Sequence, residues 1–427
     1  MQVYILDKSY DILGHIDASD STLWTKRYND IGECEIYIPC DAEYLAMLRR
    51  GHYVYRFDDD MFCKILRVEI ETDEENGDYI IATGTDICTI LSGRVVRWPI
   101  VYSGTVTGFL QKVLTDNAIS PAQSQRRIPS SDQSGITSFV FEIDKSNGAE
   151  FTEQIETTAF TADLLQLIIT TCKTHSFGFR VSYDIEARRL VFRLYKGKNK
   201  ALPTGDEYVE FSPQFANILS SNYVEDESEY KNVAYVGYKS GVEGDEQTYL
   251  LSVFKGTTEP QGEARREVYV DGTGINRSIT YEELLLMYPT ATKESETVTE
   301  DGKQKIKATY YATIGGTKTA VATSEQDVVE AGAEAAEEKI TVTDYTYLSL
   351  ERALGYDTLA EHIEKQEFTG EVDTINTYEY KTDYELGDIV KVINDHGIAA
   401  EARIVEIVES DDTDNGYQIE PKFEYFN

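Results

Sequence analysis

The feature that most limits how this chain can fold is a block of sequence that occurs twice, at residues 50–81 and at residues 386–419. Both copies read as a glycine, a strand, an acidic turn, a longer strand that ends in acidic residues, an Asn-Gly turn and a third strand. Apolar and polar residues alternate along each strand, as in a sheet with one buried face. An Asn-Gly pair adopts the positive φ angles of a tight hairpin turn. The sequence therefore predicts a three-stranded meander near each end of the chain.

A three-stranded meander cannot bury its apolar face alone. We therefore expect each copy to close into a small β-barrel with strands from elsewhere in the chain. Two unrelated acidic meanders would share part of this pattern. The common order of three strands and two turn types favours a duplication over that alternative.

The chain has 427 residues, which is too long for one hydrophobic core, so we expect several domains. The fold class predicted is α+β, predominantly β, with two similar small barrels and additional α+β domains. The predicted domains are a first barrel over 1–98, completed by strands from 206–240; an α+β domain over 99–205; an α+β domain or insertion over 241–345; and a second barrel with a preceding helix over 346–427.

Several helices and one loop are predicted from local patterns. Apolar residues recur at helical spacing in two segments, and a Thr280/Glu283 capping box opens a third helix. The predicted helices are residues 41–50, 109–114, 164–172, 281–288, an Ala/Glu-rich solvated helix at 325–338, and 347–366 with a possible break at Gly355. The polar stretch 120–148 is predicted to be a long loop or an extended hairpin.

The formal net charge of −36 argues against binding nucleic acid through its phosphates, because such contacts need patches of Lys and Arg. An acidic wall would instead repel a phosphate backbone and let it slide past. The alternative is that the acidity serves solubility alone.

No catalytic, cofactor or metal site is predicted. None of the five histidines lies in a hydrolase or metalloprotease motif, and the five cysteines form no CxxC pair. The acidic runs near Asp58 and Asp411 do not space their acids as a calcium loop does. We also expect no signal peptide and no membrane span, because no basic leader and no long apolar run is present.

One basic cluster stands out against the acidic background. Its members follow or lie on a predicted hairpin: Arg188, Arg189, Arg193, Lys196, Lys198 and Lys200. This cluster is a candidate for docking an acidic neighbour, such as another copy of the chain. The alternative is a solvated face.

Several segments carry a resemblance to a known family. These are Val3-Tyr4-Ile5-Leu6-Asp7, Gly14-His15-Ile16-Asp17, Trp24-Thr25-Lys26-Arg27-Tyr28-Asn29-Asp30-Ile31-Gly32-Glu33-Cys34-Glu35-Ile36, Asn232-Val233-Ala234-Tyr235-Val236, Leu386-Gly387-Asp388-Ile389-Val390 and Ala402-Arg403-Ile404. Their layout over nearly the whole chain resembles the tail-hub family of siphophages. That family is similar in fold to the baseplate hub of contractile-tailed phages and to the N-terminal part of tail-associated lysins.

The resemblance implies a homotrimer in which each subunit supplies two barrels, giving a pseudo-sixfold ring around a central channel. It implies as partners the tail tube or distal tail protein, the tape measure protein and tail-tip or spike proteins. The protein would be made in the host cytoplasm and reside at the virion tail tip, on the exit path of the tape measure and DNA. Glu225, Asp226 and Glu227 are candidate channel-lining acids.

The resemblance also bears on enzymatic activity. A tail-associated lysin would continue beyond the second barrel into a hydrolase domain, whereas this sequence ends at Asn427. A non-enzymatic structural protein is therefore expected. Two alternatives remain: a tail-tip protein that binds or hydrolyses cell-wall carbohydrate, and a multi-barrel adaptor from a secretion-like machine.

Overall fold

The structure is a computed structural model. It describes the whole chain except residues 17–18, 60, 74–76, 99, 131–134, 160–161, 203–206, 242–245, 301–302, 329–338, 373–377, 395, 398, 414–415 and 426–427.

The N-terminal region forms the first unit of the fold. Its elements are β1 (Val3–Leu6), β2 (Ile12–Ile16), β3 (Ser21–Arg27), β4 (Glu33–Pro39), α1 (Ala42–Met47), β5 (Tyr53–Tyr55), β6 (Phe62–Asp73) and β7 (Gly77–Asp86). The strands pair in the order β3-β4-β7-β6-β5-β1-β2. Asp41 caps α1 by accepting a hydrogen bond from the Glu43 amide at 2.7 Å, as the sequence predicts. The helix ends at Met47 rather than at the predicted Arg50. Directly after Met47 the chain turns and buries Leu48 in the core.

An α+β region follows the first unit. It contains β8 (Ile100–Thr105), α2 (Val106–Leu114), β9 (Ser138–Ile143), β10 (Gln154–Ala159), α3 (Leu164–Thr174), β11 (Gly178–Asp184) and β12 (Arg189–Tyr195). The predicted helices α2 and α3 are confirmed. Strand β9 was missed within the stretch predicted to be a loop or hairpin. Strand β9 buries Phe139 and runs parallel to β12. Because parallel partners are not joined by a hairpin, no local turn pattern in the sequence indicates this pairing.

The middle of the chain builds two further sheets. After β13 (Glu210–Phe211) and β14 (Ile218–Asp226) come β15 (Val233–Ser240), β16 (Gln247–Phe254) and β17 (Glu267–Asp271), which form a sheet in the order β16-β15-β17. The next elements are β18 (Ser278–Ile279), α4 (Tyr281–Met287), β19 (Thr292–Glu300), β20 (Lys303–Ile314), β21 (Thr317–Asp327) and β22 (Ile340–Val342), whose strands pair as β18-β22-β21-β20-β19.

Two of the helix predictions for this region have clear outcomes. The capping box at the start of α4 is present, with Thr280 and Glu283 bonding each other's backbone amides. The predicted helix at 325–338 is wrong at its start, because Glu325 lies in β21 opposite Lys307 of β20. The rest of that segment, 329–338, lies outside the described residues.

Helix α5 (Asp344–Glu361) packs on the β16-β15-β17 sheet and runs without a break through Gly355. A Cβ atom at Gly355 would come within 2.3 Å of Val253 and 2.8 Å of Val236. The glycine therefore permits close packing of helix on sheet, and the predicted break there is wrong.

The C-terminal region forms the second unit. Its strands are β23 (Lys365–Val372), β24 (Ile389–Ile393), β25 (Ala399–Asp412) and β26 (Gly416–Tyr425). They pair in the order β14-β23-β26-β25-β24-β13. The strands β13 and β14 thus extend the second unit, which corrects the prediction that strands of 206–240 complete the first.

The two meanders, β5-β6-β7 and β24-β25-β26, share fine detail. The long middle strand of each carries a β-bulge at the same place, Leu66 in β6 and Val405 in β25. The amide of Gly51 donates to the Ile65 carbonyl at 2.8 Å, and the amide of Gly387 donates to the Ile404 carbonyl at 2.8 Å. A chance likeness would not repeat a bulge and its hydrogen bonds, so these contacts support duplication.

The fold class predicted from the sequence is confirmed: the protein is predominantly β and multidomain. Barrel closure and the domain boundaries stay predictions. One sheet runs through both units, because β25 of the second unit also pairs with β3 of the first.

Candidate assembly site at the seam between the two units

The two units meet where β3 and β25 lie side by side. The strands are antiparallel, from Arg27 opposite Glu406 to Ser21 opposite Asp412. Strand β25 is long enough to pair first with the short β24 and then, beyond its bulge, with β3. The seam is therefore a continuous sheet, in which main-chain hydrogen bonds fix how one unit is placed on the other.

A buried ionic cluster lies on this seam. The Glu409 side chain is fully buried, and its Oε1 lies 2.6 Å from Lys26 Nζ. Arg56 donates to Glu409 Oε2 at 3.1 Å and the Tyr417 hydroxyl donates to it at 2.6 Å. Lys26 Nζ also donates to Asp59 Oδ2 at 2.6 Å. The cluster thus joins β3 and the β5–β6 turn of the first unit to β25 and β26 of the second.

The charges in this cluster support one another. Burial by itself would raise the pKa values of Asp59 and Glu409. Burial is the largest single effect on each group, but the nearby cations and hydrogen bonds together outweigh it. Lys26 and Lys381 act on Asp59, and Lys26 and Arg56 act on Glu409, so both pKa values are lowered. Both carboxyl groups are therefore ionised at neutral pH, and each is matched by a buried or half-buried cation.

A polar cleft of about 840 Å³ opens beside the cluster. It lies between the first unit, the α+β region and the second unit, and it is lined by both signs of charge. Lys26, Arg180, Lys196, Lys198, Lys200 and Lys381 contribute its cations, and Asp58, Asp144, Glu207, Asp383 and Asp388 are among its acids. Because cations and acids both line the cleft, it does not strongly favour either an anionic or a cationic ligand.

The predicted basic cluster is divided between this cleft and the β11–β12 hairpin. Each member has an acidic partner within the chain. The pairs are Arg188–Asp11 at 3.0 Å, Arg189–Asp184 at 2.9 Å, Arg193–Glu142 at 3.4 Å, Lys196–Glu153, Lys198–Glu207 at 3.0 Å and Lys200–Asp388 at 2.9 Å. Much of the positive charge is therefore used inside the chain, and a subunit-docking role stays a prediction.

The candidate channel-lining acids lie together. Glu225 and Asp226 end β14, and Glu227 begins the turn after it; all three are exposed. Asp226 accepts a hydrogen bond from the Ser228 amide at 2.8 Å, which holds this turn. Their exposure at a sheet edge is compatible with a channel wall or with a subunit contact, and the channel-lining role stays a prediction.

The described residues contain no group of three or more His, Cys, Asp or Glu side chains placed to hold a metal ion. Two of the histidines bond to backbone carbonyls: His52 Nδ1 lies 2.8 Å from the Met47 oxygen, and His362 Nδ1 lies 2.9 Å from the Glu229 oxygen. These contacts are structural. Within the part of the chain that the structure covers, no helix is long and apolar enough to cross a membrane.

Sequence reasoning missed the three central residues of the seam, Lys26, Arg56 and Glu409. One signal was present: Glu409 follows Ile404 and Ile407 along the side of β25 that faces inward. An acid at an inward position needs a partner. The bulge at Val405 shifts the alternation by one residue, so the inward position of Glu409 is clear only once the bulge is known.

Comparison with known proteins places the chain in a family. No curated protein sequence matches it. The solved structures that it resembles include a tail protein from Neisseria meningitidis MC58 (11% identity, 99% of this chain and 95% of that chain, TM-score 0.45). Others are a 43 kDa prophage MuSo2 tail protein from Shewanella oneidensis (10% identity, 100% and 98%, TM-score 0.44) and a type VI secretion component of E. coli (9% identity, 96% and 74%, TM-score 0.36).

The sequence also matches a family model, that of the siphovirus ReqiPepy6 Gp37-like protein, over residues 2–423. The match spans both units and everything between them. The chain therefore belongs to the siphovirus ReqiPepy6 Gp37-like protein family, which confirms the siphophage tail family predicted from its sequence.

Proposed function

We propose that this protein is the trimeric hub of a siphophage tail, which joins the tail tube or distal tail protein to the tail tip. The observation that carries the proposal is the duplication: one chain supplies two equivalent units that are joined edge to edge through β3 and β25. Three such chains supply six equivalent units. A ring of six units matches a sixfold partner on one face, while the trimer offers threefold symmetry to the tip on the other.

The seam supports this role because a hub needs its units in fixed relation. Strand pairing over seven residue pairs and a buried charge cluster both connect the units. A buried ion pair contributes more to a specific arrangement than to net stability. Its presence here favours a rigid pair of units over two domains that move independently.

The net charge supports a place on the exit path of the tape measure protein and DNA. At −36 per chain, the protein repels phosphate rather than holding it. Glu225, Asp226 and Glu227 are the acids that we assign to the channel wall or its subunit borders. In this proposal the protein is a structural component, and spike or tail-tip proteins supply any wall-degrading activity.

Gold-labelled antibodies against the purified chain test this placement on intact virions. We expect label at the end of the tail distal to the capsid, and co-purification of the chain with a tail-tube or distal tail protein. Label on the capsid or along the length of the tube would contradict the proposal. Zymography on host cell walls tests the carbohydrate alternative, and clearing that is lost on mutating one carboxylate of the chain would favour that alternative.

A further inference from the structure

The duplication allows each strand of the first unit to be matched with one of the second. The pairs Arg67–Thr83 and Glu406–Lys422 follow the two bulges, so β6 corresponds to β25 and β7 to β26. The next partners of β7 and β26 are β4 and β23, and the next partners of those strands are β3 and β14. We therefore match β4 with β23 and β3 with β14. In residues, Arg67 corresponds to Glu406, Ile70 to Glu409, Trp24 to Tyr223 and Arg27 to Asp226.

Only one of the two equivalent seams is formed within a chain. The β25 edge from Glu406 to Asp412 pairs with β3. The equivalent β6 edge, from Arg67 to Asp73, pairs with β7 on one side and with no described strand on the other. Strand β14, the equivalent of β3, ends the sheet order and pairs only with β23 among the described strands. Each chain thus carries both halves of a second, unformed seam.

Residues on the two unpaired edges are exposed, whereas the equivalent residues in the β3–β25 seam are buried or nearly buried. Ile70 is 50% exposed, whereas the equivalent Glu409 is fully buried. The Arg67 side chain is 68% exposed, whereas that of Glu406 is 12% exposed. On the other edge Val224 is 38% exposed, whereas the equivalent Thr25 is 6% exposed. An exposed edge strand that carries apolar side chains is a site for strand addition.

The two unformed edges match in charge at one position, Arg67 of β6 and Asp226 of β14. Arg67 also pairs with Glu69 within β6, and the other charged residues of both edges are acids. Inside the chain, Arg27 of β3 donates to Glu406 of β25 at 2.7 Å. In the same register, the second seam places Asp226 of β14 opposite Arg67 of β6 and Tyr223 opposite Ile70. The second seam thus has an ion pair at the same position as the first, but the acid lies on β14 and the arginine on β6. Exchanged partners would place Arg27 against Arg67, or Asp226 against Glu406, so the reversal also disfavours wrong pairing.

We propose that β14 of one copy pairs antiparallel with residues 67–73 of β6 in a neighbouring copy, in the register of the β3–β25 seam. The inference rests on the proposed function, for which it names the surface that joins the subunits. Because the two edges lie on different units, the contact is head-to-tail, which generates a ring when the rotation closes. Seams within and between chains then alternate around that ring.

A disulfide across the proposed seam tests the pairing. The pair Ile70→Cys with Tyr223→Cys places two cysteines directly opposite each other, within the Cα separation that a disulfide accepts. The control is Ile70→Cys with Asn222→Cys, because Asn222 lies next to Tyr223 and its side chain points to the other face. Mild oxidation of the full chain and a non-reducing gel are the readout. We expect covalent oligomers with the first pair, at least about tenfold more than with the control.

Charge exchange tests the register without a new bond. Arg67→Asp and Asp226→Arg should each weaken self-association by about tenfold, and combining them in one chain should restore it. Thermal unfolding of the subunits should change little, since both residues are exposed. Failure of the double variant to restore association would contradict the register.

The outcomes separate this inference from the proposed function. A trimer in which the Ile70/Tyr223 pair does not cross-link overturns the seam and leaves the trimer standing. A cross-linked series that extends past three copies keeps the seam and contradicts the trimer. A chain that forms no cross-linked species at any concentration overturns the seam as a self-association surface.

Discussion

The ammonium group of Lys26 lies 2.6 Å from the fully buried carboxylate of Glu409, although one residue is in the third strand of the chain and the other in its second-last. Arg56 approaches the same carboxylate from the first unit and stacks over Trp24 at 5.4 Å. The buried charges of the seam are therefore shared by both units, and several properties of the protein depend on them.

Glu409→Gln should strongly destabilise the protein. The change leaves two cations, Lys26 and Arg56, without the charge that they share, which for a buried pair costs about 3 kcal/mol of unfolding free energy. The matched control is Glu207→Gln, which removes an exposed partner of Lys198 and should leave the midpoint of thermal unfolding unchanged. Equal midpoints for the two variants would contradict the role assigned to Glu409.

The seam should weaken in acid. Burial alone would raise the pKa values of Asp59 and Glu409, but the cations around them, Lys26 with Lys381 and Lys26 with Arg56, lower both values in the folded state. Depressed carboxyl pKa values stabilise the fold above the unfolded values of about 4, and this contribution is lost as the pH falls through and below that range. Asp86 acts in the opposite sense, because burial raises its pKa to about 6. Denaturant titrations of wild type and Glu409→Gln between pH 3 and pH 7 isolate the seam: the variant should lose less stability in acid. Parallel curves would contradict this.

Glu351 should lower stability at alkaline pH. Its carboxylate is buried beneath Gly272. Burial raises its pKa to about 7, and the neighbouring Tyr347 hydroxyl offsets only part of that rise. A raised carboxyl pKa means that stability is lost as pH rises from about 4 to the folded value. Glu351→Gln should therefore stabilise the protein by about 1–2 kcal/mol at pH 8 and have little effect at pH 4. A stabilisation that does not change with pH would show that ionisation is not the cause.

Gly387 should tolerate alanine much less well than Gly416. Both glycines have positive φ, +96° and +73°, so each alanine meets backbone strain of about 1–2 kcal/mol. At Gly387 the added Cβ would also lie 2.3 Å from the Tyr28 ring, whereas at Gly416 nothing lies within 4 Å. Thermal unfolding should show a loss of about 3 kcal/mol or more for Gly387→Ala. Similar losses at both sites would mean that Tyr28 does not pack as described.

Local patterns in the sequence predict the parts of the fold that depend on neighbouring residues. The Gly51 and Gly387 turns, the alternating strands and the capped helices α1 and α4 are of this kind. The seam cannot be predicted from such patterns, because β3 and β25 lie near opposite ends of the chain. In addition, a bulge in β25 shifts which of its residues face inward. Duplication itself explains why strands of 206–240 were assigned to the wrong unit. Strand β14 is the counterpart of β3, and its sequence alone does not say which of two similar sheets it extends.

Candidate site residues were less predictable than the fold for a related reason. The cations at 188–200 stood out in the sequence, yet each pairs with an acid within the chain, and those acids range from Asp11 to Asp388. The pattern of charges along a chain does not reveal such distant partners. The sequence singles out the acids at 225–227 only as candidate channel-lining residues, whereas the strand pairing matches Asp226 with Arg27 in the other unit.

The mass of the purified chain in solution tests the central claim most directly. Light scattering at low and at high salt should give about three times the 48.3 kDa of one chain at both, because the proposed contact is main-chain pairing with an apolar centre. A stable monomer at micromolar concentration, which also fails to assemble in the presence of its tail partners, would contradict the hub.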